Sequence, residues 1–550
     1  QALQLFHFAT MLICVESNGH SISYGRMDQW LYPYYEADKS ISKDFALELL
    51  EVEYVKLNNP TKLKDRGSMA LRNGRGFGGE SLTIGGVKRD GTDATNDLTM
   101  LMLEASAHTR MMNPWVCVRM HEGTPEELRI KAVECIRAGY GHPKLFNDGP
   151  AIKGMMRKGM TLEEARDYCV VGCVEISLPG KEYGWHDAAY VNTAKMMEMV
   201  LNGIDCGPHC PRWSQCGALG KHLGPDTGSL DRYASFEEVK QSVDTQFEYW
   251  TNQMCSSLCV IENAHRALKP LPYVSALFED CMESGHDLTE GGAKYNGIGP
   301  QASGMATCAD SLAAIKQLVF DEKRCTGAEL LEAVKHNWKG YEKLYALVNS
   351  SKVHHYGNDD DYADALFKFM FETYCKHIAG RKTPRGGIFS PGVYSVNANV
   401  AMGLNTNASV DGRKAGEAIS DNMGPVHTDF GSHDINGPTA IVNSLVNDII
   451  NPAIGLFFNA DFSDVGIHVG DVMIGIGSFI NAVINFLIVA FVLFVVIKFV
   501  NSLHKKPAEP EAPAEPTTKV CPYCQSEISI KAVRCPHCTS KLEGFPEINN

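Results

Sequence analysis

Across the first 440 residues, apolar side chains recur near a 3.6-residue period in several stretches, the spacing that gathers them on one face of a helix. "SISKDFALELLEVEYVKLNN" (40–59) shows the pattern behind a Ser or Asp cap. "TPEELRIKAVECIRAGY" (124–140), "TLEEARDYCVVGC" (161–173) and "TGAELLEAVKHNW" (326–338) each open on Thr with acidic residues close behind. A Thr hydroxyl accepts from the first free backbone N–H groups, so these are helix starts. Short apolar runs and Gly-rich turns alternate with the helices. The Gly-rich stretches "RNGRGFGGESLTIGG" (72–86) and "EGGAKYNGIGPQASG" (290–304) read as loops or close backbone approaches. "GRGFGG" lacks the strand-then-helix context of a phosphate-binding loop.

Near residue 440 the pattern changes. Residues 441–458, "IVNSLVNDIINPAIGLFF", are apolar but broken by Asn443, Asn447, Asp448, Asn451 and Pro452. A short polar loop follows, and the chain turns apolar again from Val472. From Phe479 to Val500 only Asn481, Asn485 and Lys498 interrupt the apolar run. Twenty-two helical residues span about 33 Å, enough for a hydrocarbon core of about 30 Å. The run ends in a basic "HKK" and then "PAEPEAPAEP" (507–516), an extended, semi-rigid spacer. These features predict a membrane helix over 479–500 and a linker over 506–519.

Composition narrows the function classes. The chain has 550 residues, 51 Lys and Arg against 65 Asp and Glu, and a net charge of −14. Nucleic-acid binding needs cationic surface to displace counterions, so it is not expected here. Fourteen of the 18 cysteines are scattered between Cys14 and Cys375, which fits a reducing compartment better than a disulfide framework. The chain begins with Gln1, without a basic leader, in a segment that reads like a domain interior. The expectation is a fragment at its N-terminus.

Two constellations carry chemistry. Cys521 and Cys524 form one C-x-x-C, and Cys535 and Cys538 another, around a strand-like "SEISIKAV". Two such knuckles can bring four thiolates tetrahedrally onto zinc, as in a zinc ribbon over 520–540. A redox pair or two unrelated dithiols are the alternatives, and His537 falls outside the expected ligand set. The second constellation is "GCVE" (172–175), which places Cys173 and Glu175 on one short loop. Spacing alone leaves open a nucleophile with its base or a plain buried cysteine.

Resemblance goes further. "ESNGHSISYGRMDQWLYPYY" (16–35), "GCVE" (172–175), "GGAKYNGIGPQASG" (291–304), "TPRGGIFSPGVYSVNANV" (383–400) and "DGRKAGEAISDNMGPVH" (411–427) resemble glycyl radical enzymes. That superfamily includes pyruvate formate-lyase and the radical diol dehydratases. The resemblance implies a partial ten-stranded α/β barrel over 1–440, a radical-activating enzyme as partner, and a glycyl radical. By the same resemblance Cys173 carries a thiyl radical and Glu175 is the acid/base. Gly172 stands where the formate-lyase type has a second cysteine, and "GWHDAAY" resembles the glycerol and propanediol dehydratases. A small diol is therefore the expected substrate, its hydroxyls held by His20, Ser21 and Asp187. The glycyl radical string, Arg-Val-x-Gly-Tyr-like, does not occur in the sequence, nor does the N-terminal part of the barrel with a further substrate-binding histidine. The expectation is an enzyme inactive alone.

"IVNSLVNDIINPAIGLF" and "INAVINFLIVAFVLFVVIKFVNSL" resemble the end of the first helix and the second helix of the large-conductance mechanosensitive channel. This resemblance covers about 441–505 and implies an α-helical transmembrane hairpin, a homo-oligomer, and a bacterial inner or plasma membrane. Lys498, Lys505 and Lys506 put the end of the second helix in the cytoplasm, and with it the enzyme domain and the ribbon. The shared word "TAIVNSLV" marks the junction of a chimera, as a recombined or misjoined coding sequence would have. The rival readings are a channel protein with a passenger enzyme domain, a formate C-acetyltransferase-like radical enzyme, and an inactive membrane-tethered binding module.

Overall fold

The computed structural model describes residues 1–17, 21–59, 79–203, 224–443, 466–469, 472–475 and 518–544. They fall into two units, Gln1–Pro452 and Ala453–Asn550.

The first unit opens with α1 (Ala2–Ser17), β1 (Ser23–Arg26), α2 (Lys43–Leu57), β2 (Ser81–Gly85), α3 (Asp97–Thr109), β3 (Trp115–Met120), α4 (Glu126–Arg137) and β4 (Lys144–Asn147). The four strands form one parallel sheet in the order β1-β2-β3-β4. Parallel neighbours need a crossover, and α3 and α4 supply it between β2, β3 and β4. Side chains alternate along a strand. In β2, Leu82 and Ile84 join a core with Val116, Val118, Leu50 and Tyr54. Ser81 and Thr83 alternate with them and are equally buried.

Next comes an antiparallel hairpin of β5 (Cys169–Val171) and β6 (Glu175–Ser177). Then β7 (Trp185–Asn192), α5 (Phe236–Leu268), β8 (Ile298–Ser303), α6 (Met305–Ile315) and α7 (Asp361–Lys376) build the second half. β8 lies parallel to β7 and is bridged on its other side through Phe389 and Gly392. All eleven residues of α6 are buried, as expected of a helix that is small or apolar nearly all round. It is the spine of the larger core, with Val243, Phe247, Met370 and Tyr374.

The helix starts follow the capping signals with one exception. The Ser42 hydroxyl accepts from Phe45 N, and Thr161 and Thr326 form capping boxes with Glu164 and Glu329. Thr124 does not cap: its hydroxyl accepts from His121 N at 2.8 Å, and Pro125 precedes the helix. The Thr161 helix ends at Arg166, and "CVV" becomes β5. Both Gly-rich stretches contain buried strands, β2 and β8, where loops were expected. The close approach is nonetheless real: a Cβ on Gly299 would collide with the His186 carbonyl.

In the second unit, Gly466–Val469 pairs antiparallel with Val472–Gly475, inside the stretch expected as a polar loop and its apolar sequel. Thr518–Val520 pairs with Glu527–Ser529. The expected membrane helix 479–500, the linker 506–517 and most of 441–458 lie outside the described residues. Among the described residues no helix is long and apolar enough to cross a membrane.

Candidate active site and candidate metal centre

Cys173 sits at the tip of the β5–β6 hairpin. Val171 pairs with Glu175, leaving Gly172, Cys173 and Val174 as the turn. Gly172 has φ +59°, a conformation that favours glycine. The hairpin docks on the first sheet through side-chain hydroxyls. Ser23 and Ser81 both donate to Val170 O at 2.6 Å, and Val170 N donates to Thr83 Oγ1 at 2.8 Å. Hydroxyls on β1 and β2 therefore supply the partners that β5 lacks.

Both ends of the hairpin are pinned. Ahead of it, the buried Arg119 binds Asp148 through two nitrogens, at 2.8 and 3.0 Å, and donates to Tyr168 O at 2.9 Å. Beyond it, Glu182 accepts from Ser177 Oγ and Leu178 N at 3.2 Å each and pairs with Lys158. At the tip, Lys144 Nζ donates to Cys173 O at 2.8 Å while lying 3.7 Å over the Trp115 ring. Burial pushes the Cys117 and Cys169 thiols up to about 12, so neither is a ready thiolate.

Glu175 accepts a short hydrogen bond from Tyr394 OH through Oε1 and one from Val174 N at 2.8 Å through Oε2. Burial raises its carboxyl above the usual range; the Tyr394 and Val174 donors oppose this, and Asp187 nearby adds to it. Burial and the Glu175 charge raise the Tyr394 phenol, which keeps it a donor. Tyr190 OH donates to Asp187 Oδ2 at 3.2 Å, and the Tyr190 and Tyr394 rings meet edge-on at 6.3 Å.

The structure thus gathers Cys173, Glu175 and Asp187. Ser21 joins them: a Cβ on Gly172 would lie 3.2 Å from both Ser21 Oγ and Glu175 Oε2. His20 lies outside the described residues. Sequence reasoning missed Tyr394, Tyr190 and Lys144. Tyr394 stood inside "SPGVYSVNANV" without a role, because its partner is 219 residues away.

The four ribbon cysteines converge. Cys521 and Cys538 Sγ are 3.8 Å apart, and Cys524 and Cys535 Sγ 3.6 Å. A tetrahedron with Zn–S bonds of about 2.3 Å has edges of about 3.8 Å, so the donor set fits zinc. The two knuckles repeat one geometry. Cys521 N and Cys535 N donate to Ser526 O and Ser540 O, both at 2.9 Å, and Gln525 and Thr539 both have φ +62°.

Residues 1–403 match the Pyruvate formate lyase-like family, and the chain belongs to it. Residues 437–531 match the family Large-conductance mechanosensitive channel. Among curated relatives, a (2S)-3-sulfopropanediol dehydratase of Klebsiella oxytoca is 79% identical over 448 residues, 81% of this chain and 53% of that protein. A trans-4-hydroxy-L-proline dehydratase of Clostridioides difficile is 32% identical, covering 81% and 55%. The glycerol-bound B12-independent glycerol dehydratase from Clostridium butyricum superposes with TM-score 0.76 at 38% identity, covering 81% of this chain and 54% of that one. The chain spans about half the length of the curated relatives it matches.

Proposed function

We propose that residues 1–440 form the substrate-binding and hydrogen-abstracting part of a radical lyase that removes water from a small vicinal diol. One observation carries the reading: Cys173 at a pinned hairpin tip, beside a Glu175 held by Tyr394. A glycyl radical, installed by an activating enzyme, supplies the unpaired electron. As a thiyl, Cys173 takes a hydrogen atom from a carbon bearing a hydroxyl. Glu175 accepts that hydroxyl's proton, and the resulting ketyl expels the neighbouring hydroxyl, which leaves as water once protonated. Return of the hydrogen atom from Cys173 gives the aldehyde. Ser21, His20 and Asp187 hold the two hydroxyls, and Tyr190 orients Asp187. The 79% identical relative supports a diol carrying a sulfonate over glycerol or propanediol.

The Arg-Val-x-Gly-Tyr string does not occur in these 550 residues, so a reconstitution supplies the radical glycine on an added domain. The test is anaerobic reconstitution of the full chain with an activating enzyme and a separate glycine-bearing domain. Aldehyde is followed with sulfopropanediol, propane-1,2-diol and glycerol. Turnover fastest with sulfopropanediol and dependent on the added domain is expected. No turnover while the added domain shows a glycyl signal by electron paramagnetic resonance would sink the reading.

The match of 437–531 favours a second role at the membrane. We infer that 441–505 forms a transmembrane hairpin in a bacterial inner membrane, with the helix 441–458 facing an oligomer interior. Asp448 supports the placement, because an acid inside a membrane helix is tolerated facing a bundle interior or pore. The ribbon then holds one zinc through Cys521, Cys524, Cys535 and Cys538.

A further inference from the structure

A second cluster of ligating side chains lies in the first unit and shares no residue with the Cys173 hairpin. Asp310, on the central helix α6, is wholly buried, and His355 and His433 pack against it at 5% exposure each. Their ligand atoms all fall within 4.8 Å of one another. His433 Nδ1 lies 2.8 Å and His355 Nδ1 3.3 Å from the same oxygen, Asp310 Oδ2. The two imidazole rings are 3.9 Å apart between centroids.

Hydrogen bonding serves His433, whose Nδ1 meets Asp310 Oδ2 at 2.8 Å and whose Nε2 meets Asn349 Oδ1 at 3.4 Å, but not His355. Asp310 Oδ1 is used by Tyr356 N at 2.8 Å. Neither ring nitrogen of His355 makes a well-aligned hydrogen bond, although both are buried; its neighbours are Asp310 and the Val348 backbone. Its Nδ1 stands near the carboxylate without the alignment of a hydrogen bond. A buried imidazole whose nitrogens lack aligned partners is costly. Asp411, also wholly buried, keeps Oδ2 without a partner within electrostatic reach of both histidines.

We propose that Asp310, His355 and His433 bind a first-row divalent transition-metal ion. Ligand bonds of about 2.0–2.1 Å give polyhedron edges from about 2.8 Å (octahedral) to about 3.4 Å (tetrahedral), a range that includes the two distances to Asp310 Oδ2. Two imidazoles and a carboxylate are a borderline-hard donor set suited to zinc or ferrous ion rather than calcium or magnesium. The ion reaches it from a cavity of about 840 Å³, whose lining includes both histidines and the exposed Asp359 and Asp361. Facing this cavity, the ion keeps at least one coordination position for water or a small anion. Three chain segments far apart in sequence meet at the ion, so it also ties 353–358 and 426–433 to α6.

The full chain should be stripped of metal, loaded with Zn²⁺ under reducing conditions, gel-filtered and analysed for zinc. Two zinc ions per chain are expected, one at the ribbon. His355→Gln should remove one ion, weakening that site at least about 100-fold, beyond the 10–100-fold that loss of an outer partner costs. Cys521→Ser with Cys535→Ser should remove the other. X-ray absorption of zinc-loaded ribbon-less chain should show only nitrogen and oxygen neighbours, a measurement that does not need the His355 variant to fold. One zinc per chain in the native sequence, unchanged by His355→Gln, overturns the proposal. So does a ribbon-less chain that holds no zinc.

Discussion

The proposed chemistry at Cys173 and Glu175 depends on single atoms. Cys173→Ala removes the only sulfur at the hairpin tip and should abolish turnover in the reconstituted system. Glu175→Gln keeps the shape but not the base, and should cost on the order of 10²–10⁴-fold in kcat. Glu175 also makes a prediction for stability. Its folded pKa is raised by burial, so the folded state holds the proton more tightly than the unfolded chain. The stability it contributes is fully present below the ordinary carboxylate pKa and is lost as pH rises through the raised folded value. Relative to Glu175→Gln, the native protein should therefore gain stability as pH falls from 8 towards 4. Urea midpoints of the two proteins across that range measure it, and a gap independent of pH would show that the carboxyl is not perturbed.

Elements are held together here by hydroxyls as much as by ladders. The β5 strand is short, and Val170 depends on Ser23, Ser81 and Thr83 for both of its backbone groups. Thr83→Val preserves shape and β-branching but leaves Val170 N buried without an acceptor. It should destabilise the first unit by about 1–3 kcal/mol, the cost of an unmet buried group. Because the strand carries the hairpin, the same variant should lower kcat although Thr83 touches no substrate. A loss of stability with unchanged turnover would mean that the pins at Arg119 and Glu182 suffice to place Cys173.

On the scale of the whole molecule, two families meet in one chain, and each makes a separate prediction. Isolated 517–550 should bind one zinc, and Cys→Ser at any of Cys521, Cys524, Cys535 or Cys538 should reduce that stoichiometry. Metal analysis finding no zinc, or no change in the variants, would remove the ribbon. For the membrane part, an engineered cysteine at Ser463 should react with an impermeant reagent from the periplasmic side, and one at Ser502 should not. Labelling of both from one side would rule out the hairpin. With polar enzyme sequence in place of most of the first channel helix, no normal tension-gated current is expected in patch-clamp of reconstituted protein.

What the sequence determined by itself is what short spacing determines. Two C-x-x-C pairs fold into the same knuckle twice, because each knuckle closes its own hydrogen bonds within six residues. Thr161 and Thr326 cap their helices for the same local reason, and the motif around Cys173 named its family before any geometry was known. Thr124 shows the limit of such signals, since a nearby backbone N–H took its hydroxyl. Only the tertiary structure decided that the Gly-rich 81–85 and 298–303 are buried strands, because their burial comes from helices and sheets elsewhere in the chain. It alone joined Tyr394 to Glu175 and brought Asp310, His355 and His433 together. These contacts cross 219 and 123 residues, and no periodicity in a chain encodes a meeting at that separation. They exist because folding buries Glu175 of the hairpin and Asp310 of α6 against segments distant in sequence, where a buried polar group must find a partner.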